Sequence, residues 1–366
     1  MKQTIRLITS LLTAFTPIYL HAQTFTIGAN NGANSSSTYP TPYGDFREST
    51  RAQYLYRASE LTAAGVTAGN ITKLGFFVES IDGVGVHENY TVKLLLTTST
   101  TLTNGTWQAG ATTVFGPVDY TPALGLNEHL VSTPFYWNGT SNLVIDVCHT
   151  AIPTSSGNTA TNNAAVQWTS NLAFNGSRTR AANNNDDICT TNQTNENGVR
   201  TSRPVLSLTL CYPPSGLTVN GVTSIAANVG WTPPAGNSPA GYDYTFGLAG
   251  YQPGVSGTQL GNGSTTTTSA ILTGLNGLET YALWVRSDCG DGFSRWAGPL
   301  NFTTDPSCDD LFLDPAGVLP YGKNENALKV LCPDAAANAL TITFFVPFST
   351  GAGDTLKIYN GDNTNA

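Results

Sequence analysis

Apolar and polar side chains alternate in short runs through residues 23–210, with clusters of Gly, Asn, Thr and Pro between the runs. A period of two is the pattern of strands that bury one face against a partner sheet. Tyr90, Val92, Leu94 and Leu96 alternate with Thr91 and Lys93; Leu143, Ile145 and Val147 do so around Asp146; Leu74, Phe76 and Val78 make a third inward face. Further strands are expected near residues 113–120, 129–137, 164–168 and 204–210. One short helix is expected over residues 53–64, because Tyr54, Leu55, Ala58 and Leu61 fall on a helical stripe and Gly65 suits a left-handed C-terminal cap. The polar, Asn-rich stretches 154–163 and 180–200 read as long surface loops. The expected fold is all-β, a series of tandem β-sandwiches that begins with a jelly-roll-like sandwich over residues 23–210.

The N-terminus adds a destination. Lys2 and Arg6 flank the start of an apolar stretch from Leu7 to Leu20, and Leu20-His21-Ala22 has the small-residue pattern of a cleavage site, so residues 1–22 are expected to be a signal peptide. Threonines and Pro17 interrupt that stretch, and it is shorter than the roughly 20 residues a membrane helix needs. The mature chain is therefore expected to be secreted or held at the outer cell surface, without membrane insertion. Charged residues make up 11% of the chain, far below the usual level of about 25%, which leaves Thr, Asn, Ser and Gly to cover the surface. A formal charge of −8 sets the chain against a nucleic-acid partner.

In an exported chain, six cysteines point to disulfides. Cys148 and Cys189 lie in the first β-region, Cys211 and Cys289 bracket the next stretch, and Cys308 and Cys332 follow it, so these three pairs are expected. Each is worth roughly 2–4 kcal/mol when unstrained.

Residues 211–305 carry a second pattern. Pro214-Ser215-Gly216-Leu217 opens a strand, Val229-Gly230-Trp231 sets a tryptophan on the next, Tyr242 and Tyr244 alternate on a third, Leu275-Asn276-Gly277-Leu278-Glu279-Thr280-Tyr281 turns into a later one, and Gly298-Pro299-Leu300-Asn301-Phe302-Thr303-Thr304 closes the set. This stretch resembles a fibronectin type III module. The resemblance implies a sandwich with Trp231 in its core and a tyrosine corner at Tyr281, whose hydroxyl bonds back to the backbone. It departs from that family in Cys211 and Cys289, which are expected to clamp the first strand to the end of the strand after Tyr281. No Arg-Gly-Asp is present, so integrin-type recognition does not carry over.

Residues 306–366 resemble the first half of a CUB domain through Cys308, Pro320-Tyr321, Cys332-Pro333, the alternating Leu340-Thr341-Ile342-Thr343-Phe344, Phe348 and Asp354-Thr355-Leu356-Lys357-Ile358-Tyr359-Asn360-Gly361. That family implies calcium held by acidic side chains, with Asp354 and Glu325 matching ligand positions. A half-sandwich has open edges, so the chain is expected to be the front of a longer protein. Tyr39-Pro40-Thr41-Pro42-Tyr43-Gly44, Ala58-Ser59-Glu60-Leu61, Gly69-Asn70-Ile71-Thr72 and the stretch from Thr133 to Asn142 resemble the N-terminal domain of large outer-surface proteins of gliding and biofilm-forming bacteria. Such proteins usually end in a sorting domain for type IX secretion, which is absent here.

Catalytic constellations are wanting. His87-Glu88 begins like a zinc-protease motif, but Thr91 stands where its second histidine belongs. There is no Gly-x-Ser-x-Gly elbow and no phosphate-binding Gly-rich loop. Asp186 and Asp187 follow Asn183-Asn184-Asn185 in a run of oxygen ligands that calcium could use, but the spacing is that of no compact calcium loop, and a solvated loop tied down by Cys189 is the preferred reading. For Tyr39, Tyr43 and Phe46 in a Pro-rich loop, and Tyr136 and Trp137 before the turn at Asn138-Gly139, a place in the core or as straps is the preferred reading, with stacking on sugar rings as the alternative. Trp107, in a turn-rich stretch between Gly105 and Gly110, is a candidate for exposure. The resulting expectation is a non-catalytic adhesion and display protein that binds extracellular glycans or surface proteins through Tyr39, Tyr43 and Trp137. Its alternative is the ancillary region of a secreted peptidase or glycoside hydrolase.

Overall fold

The computed structural model describes residues 22–34, 41–81, 84–150, 163–183, 188–190, 198–236 and 238–307. These residues are overwhelmingly β and fall into two compact units that divide at Cys211 and Tyr212.

The first unit contains strands β1 (Gln23–Ile27), β2 (Ser49–Tyr56), β3 (Gly69–Ser80), β4 (His87–Thr97), β5 (Thr112–Tyr120), β6 (Gly125–Trp137), β7 (Asn142–Thr150), β8 (Ala165–Val166), β9 (Trp168–Thr169), β10 (Ser177–Ala182), β11 (Gly198–Arg200), β12 (Arg203–Pro204) and β13 (Leu206–Cys211), with helix α1 (Ala58–Ala63). One sheet has the order β1-β13-β3-β6 with β8 beside β3, and the other has the order β11-β10-β2-β7-β4-β5. Their inner faces meet, with the Tyr54 and Phe76 rings 6.0 Å apart and Tyr90 and His129 5.2 Å apart. Tyr90, Val92, Leu94, Leu143, Ile145, Val147, Leu74, Phe76 and Val78 are all buried, as the alternation requires, and Leu96 is half-buried. Each such side chain contributes roughly 1.5–3 kcal/mol by leaving water.

The helix expected over residues 53–64 is mostly strand. β2 runs to Tyr56, and only Ala58–Ala63 is helical. Every residue of β2 is buried, because Arg51, Gln53 and Leu55 lie under a covering loop while Ala52, Tyr54 and Tyr56 face the other sheet. A strand covered on both faces has no binary pattern, and its aromatics then imitate a helical stripe. The end of α1 is as expected. Gly65 has φ +92°, its N–H donates to Thr62 O (2.9 Å), and the Val66 N–H donates to Leu61 O (3.0 Å), which together form a Schellman cap. At the start of the helix the Arg57 N–H donates to Glu60 Oε2 (2.9 Å).

The second unit contains β14 (Ser215–Val222), β15 (Ala226–Thr232), β16 (Gly241–Leu248), β17 (Gln259–Thr265), β18 (Ser269–Thr273), β19 (Thr280–Asp288) and β20 (Ala297–Thr303). Sheets β14-β15-β18 and β17-β16-β19-β20 enclose a core of Val229, Trp231, Tyr242, Phe246, Leu272, Tyr281, Leu283, Val285 and Phe302. Trp231 meets Tyr242 edge-on at 5.4 Å. The tyrosine corner is present, with the Asn276 N–H donating to the buried Tyr281 hydroxyl at 2.7 Å. Tyr281→Phe leaves that N–H unsatisfied, and we expect this unit's unfolding free energy, measured by denaturant titration, to fall by about 1–3 kcal/mol. A change under a few tenths would show that water replaces the hydroxyl.

Two of the expected disulfides are formed, Cys148–Cys189 with Cα atoms 5.5 Å apart and Cys211–Cys289 with Cα atoms 5.9 Å apart. The second does not start on the first strand of the second unit, as expected. Cys211 is the last residue of β13 and pairs in register with Asn70 of β3, so the bond joins the end of β13 to the residue after β19. The expected pair Cys308–Cys332 lies outside the described residues.

Candidate functional site

The sequence-derived aromatics do not form a displayed platform. Tyr43 and Trp137 are fully buried, which corrects the expectation that they meet a ligand. Tyr43 goes inside with residues 41–45, while Phe46 is exposed: Thr41 Oγ1 donates to Ala164 O (3.2 Å), and Asn163 Oδ1 accepts the N–H groups of Asp45 (2.8 Å) and Phe46 (2.9 Å). Trp137 ends β6 with its indole N–H on Ser141 O (2.8 Å). Trp107, the candidate for exposure, lies under two guanidinium groups, Arg51 at 4.4 Å and Arg178 at 4.2 Å. Tyr39, the calcium candidates Glu325 and Asp354, and the Asp186-Asp187 pair lie outside the described residues.

Around Tyr43 the structure assembles an interior that sequence spacing did not reveal. His129 Nε2 lies 2.8 Å from the Tyr43 hydroxyl, Tyr90 stacks on Tyr43 at 5.6 Å, and His87 and His149 meet at 4.6 Å. Burial holds the His129 imidazole down at about 3 and the His149 imidazole at about 4, and it lowers His87 well below the usual value. The His149 Nε2 lies 2.5 Å from Gly44 O. Burial also raises the Tyr43 and Tyr90 hydroxyls. These buried, neutral groups pack against one another in the interior of the first unit. Among the described residues no group of three or more His, Cys, Asp or Glu side chains is placed to hold a metal.

The accessible chemistry is on the outward face of the four-stranded sheet of the second unit. Register puts Ser264, Asp243 and Arg286 side by side across β17, β16 and β19, and puts Asn262, Thr245 and Trp284 in the next row. Asp243 Oδ2 accepts from Arg286 Nε (3.1 Å) and Nη2 (2.9 Å), while Ser264 Oγ donates to Oδ1 (2.7 Å). The Arg286 guanidinium also lies over the Phe293 ring at 3.8 Å and the Trp296 ring at 4.6 Å. The chain after β16 folds back over this face. The Tyr251 hydroxyl lies 2.9 Å from Thr245 Oγ1, and the Trp284 indole N–H donates to Tyr251 O (2.8 Å). Between this fold and β17 is an open cleft of about 480 Å³, lined among others by Asp243, Tyr251, Gln259, Asn262, Ser264 and Trp296.

The cleft is of mixed polarity and close to neutral. Its one carboxylate is neutralised by Arg286, and what remains are amides, hydroxyls and half-exposed aromatic surface. Such a lining hydrogen-bonds and stacks, and the Asp243 carboxylate beside the Ser264 hydroxyl is already engaged by Arg286. Trp296 is far from Asp243 and Asn262 along the chain and reaches the cleft through the pairing of β16 with β19, whereas Tyr251 lies between them on the segment that joins β16 to β17.

Residues 212–303 match the fibronectin type III domain. No curated protein matches the chain. Solved structures that are similar include one described as a myokine structure (20% identity, 26% of this chain and 98% of that one, TM-score 0.23). The fibronectin type III domain of human collagen alpha-1(XX) is also similar (23% identity, 26% and 87%, TM-score 0.23). So is the FN5 domain of Drosophila Lar (17% identity, 27% and 100%, TM-score 0.23).

Proposed function

Proceeding from the fibronectin type III module in residues 212–303, we propose that this chain is part of a secreted, non-catalytic surface protein serving adhesion and display, and that its module binds neutral carbohydrate in the cleft beside Tyr251. The signal-like N-terminus and the two disulfides support an extracellular location. No helix among the described residues is long and apolar enough to cross a membrane. The observation that carries the carbohydrate reading is the lining itself. Gln259, Asn262 and Ser264 offer donors and acceptors to hydroxyls, Trp296 offers ring surface, and the Asp243–Arg286 pair cancels the charge that would select an ionic ligand.

The test is titration of the full chain with neutral hexasaccharides of glucose, xylose and mannose, followed by tryptophan fluorescence. At least one should bind in the millimolar range or tighter, and Trp296→Ala should weaken it about tenfold, equivalent to roughly 1.4 kcal/mol. No binding of any of the three, in a protein that still attaches to cells, would remove carbohydrate and leave a protein ligand for the adhesive role.

A further inference from the structure

We propose that the Cys211–Cys289 disulfide makes the fibronectin type III module a short, stiff element under tension, in which most of the module is bypassed by the force. This inference rests on the adhesive reading, since an adhesion protein is pulled between what it binds and what holds it.

The reason is covalent topology. Tension that arrives along β13 reaches Cys211, and from there the shortest path is through the sulfur–sulfur bond to Cys289, which follows β19 directly. The strands β14, β15, β16, β17, β18 and β19 all lie in the loop that the bond closes, with a sequence separation of 78. No pulling force lengthens that loop while the bond is intact. Only the stretch from Cys289 through β20 remains in series with the load.

The register shows how that stretch is loaded. Among the described residues β20 is an edge strand that pairs only with β19, antiparallel, with Thr280 opposite Thr303 and Val285 opposite Ala297. The load enters at the C-terminal end of β19 and leaves at the C-terminal end of β20, and these are opposite ends of the ladder. The two strands are therefore pulled past one another, so all their hydrogen bonds are strained together instead of opening one by one from an end. Phe302, stacked at 5.7 Å on Tyr281 in the core, and Leu300, packed against the same core, must slide with β20. Without the bond the load would enter at β14, and the whole module would unravel.

Single-molecule force spectroscopy on the full chain, held by handles at its two ends, tests this. In oxidising buffer, release of β20 adds at most about 5 nm, at roughly 3.3–3.6 Å per extended residue. Adding a thiol reductant while a molecule is held under constant force should then produce a separate step of about 26 nm, from the separation of 78. The Cys148–Cys189 bond, with a separation of 41, gives its own step of about 14 nm and is told apart by length. A variant carrying both Cys211→Ser and Cys289→Ser should give the long extension without reductant. A step above 25 nm from this module in untreated wild-type protein, or no 26 nm step after reduction, overturns the proposal. Neither result depends on whether carbohydrate binds, so the two readings fail separately.

Discussion

Acidification from pH 7 to pH 4 is expected to unfold the N-terminal sandwich while the fibronectin type III module stays folded. His87, His129 and His149 are all buried as neutral rings in the first unit, and the second unit contains no histidine, so the same chain carries its own control. The imidazole values in the fold lie below the ordinary value of about 6.5, with His149 at about 4 and His129 at about 3. The unfolded chain therefore takes up protons first as pH falls. Stability is complete above about pH 6.5 and is lost progressively on the way down towards those folded values. By pH 4, His129 and His149 each remove roughly 3 kcal/mol, at about 1.4 kcal/mol per pH unit. His87, lowered for the same reason, adds to the loss. The combined loss is comparable in size to a domain's whole stability of about 5–15 kcal/mol. Calorimetry across pH 7 to 4 should show the first transition moving down by tens of degrees and the second almost stationary. A first transition that did not move with pH would mean the histidines are solvated in the native state.

Replacing Asp146 with alanine is expected to be the most damaging single substitution on the other side of the same sheet. Asp146 is fully buried and accepts from Arg51 Nε (3.1 Å), Arg51 Nη2 (2.7 Å) and Gln53 Nε2 (2.8 Å). Arg51 and Arg178 both stack on Trp107, and Lys93 stands opposite Asp146 in the register of β4 and β7. Without the carboxylate, Arg51 keeps its charge in a place with little water. The cost is then about 3–5 kcal/mol, most of it the desolvation of the remaining cation and little of it the intrinsic worth of the pair. Asp146→Asn keeps acceptor capacity without charge and should fall between. Urea denaturation of the first unit measures both variants, and a loss under 1 kcal/mol for Asp146→Ala would show that the surrounding loop admits water.

The buried face bearing Asp146 also shows why part of the fold escaped the sequence. Alternation identified β3, β4 and β7, whose inward residues are apolar and whose intervening positions include Thr91, Lys93 and Asp146. It failed at β2, where Arg51 and Gln53 are as buried as Tyr54. A polar residue at a strand position normally signals solvent; here it signals a paired charge beneath a loop. The place of Trp107 stayed open for the same cause, since glycine-rich surroundings allow exposure and the two stacked arginines decide for burial.

By itself the sequence determined the β class, the inward faces of the one-sided strands, two disulfide pairs, and a fibronectin type III module with its buried Trp231 and its corner at Tyr281. These are carried by local period, spacing and a small number of residues whose chemistry has one use. Only the tertiary structure decided that Tyr43 and Trp137 are interior, that three histidines share a core, and that Cys211 belongs to β13. It also placed Asp243, Asn262 and Trp296 around one cleft. The reason is the same in each case: burial and adjacency on a sheet are set by pairing between strands far apart in the chain, and no local pattern records which strand becomes whose neighbour.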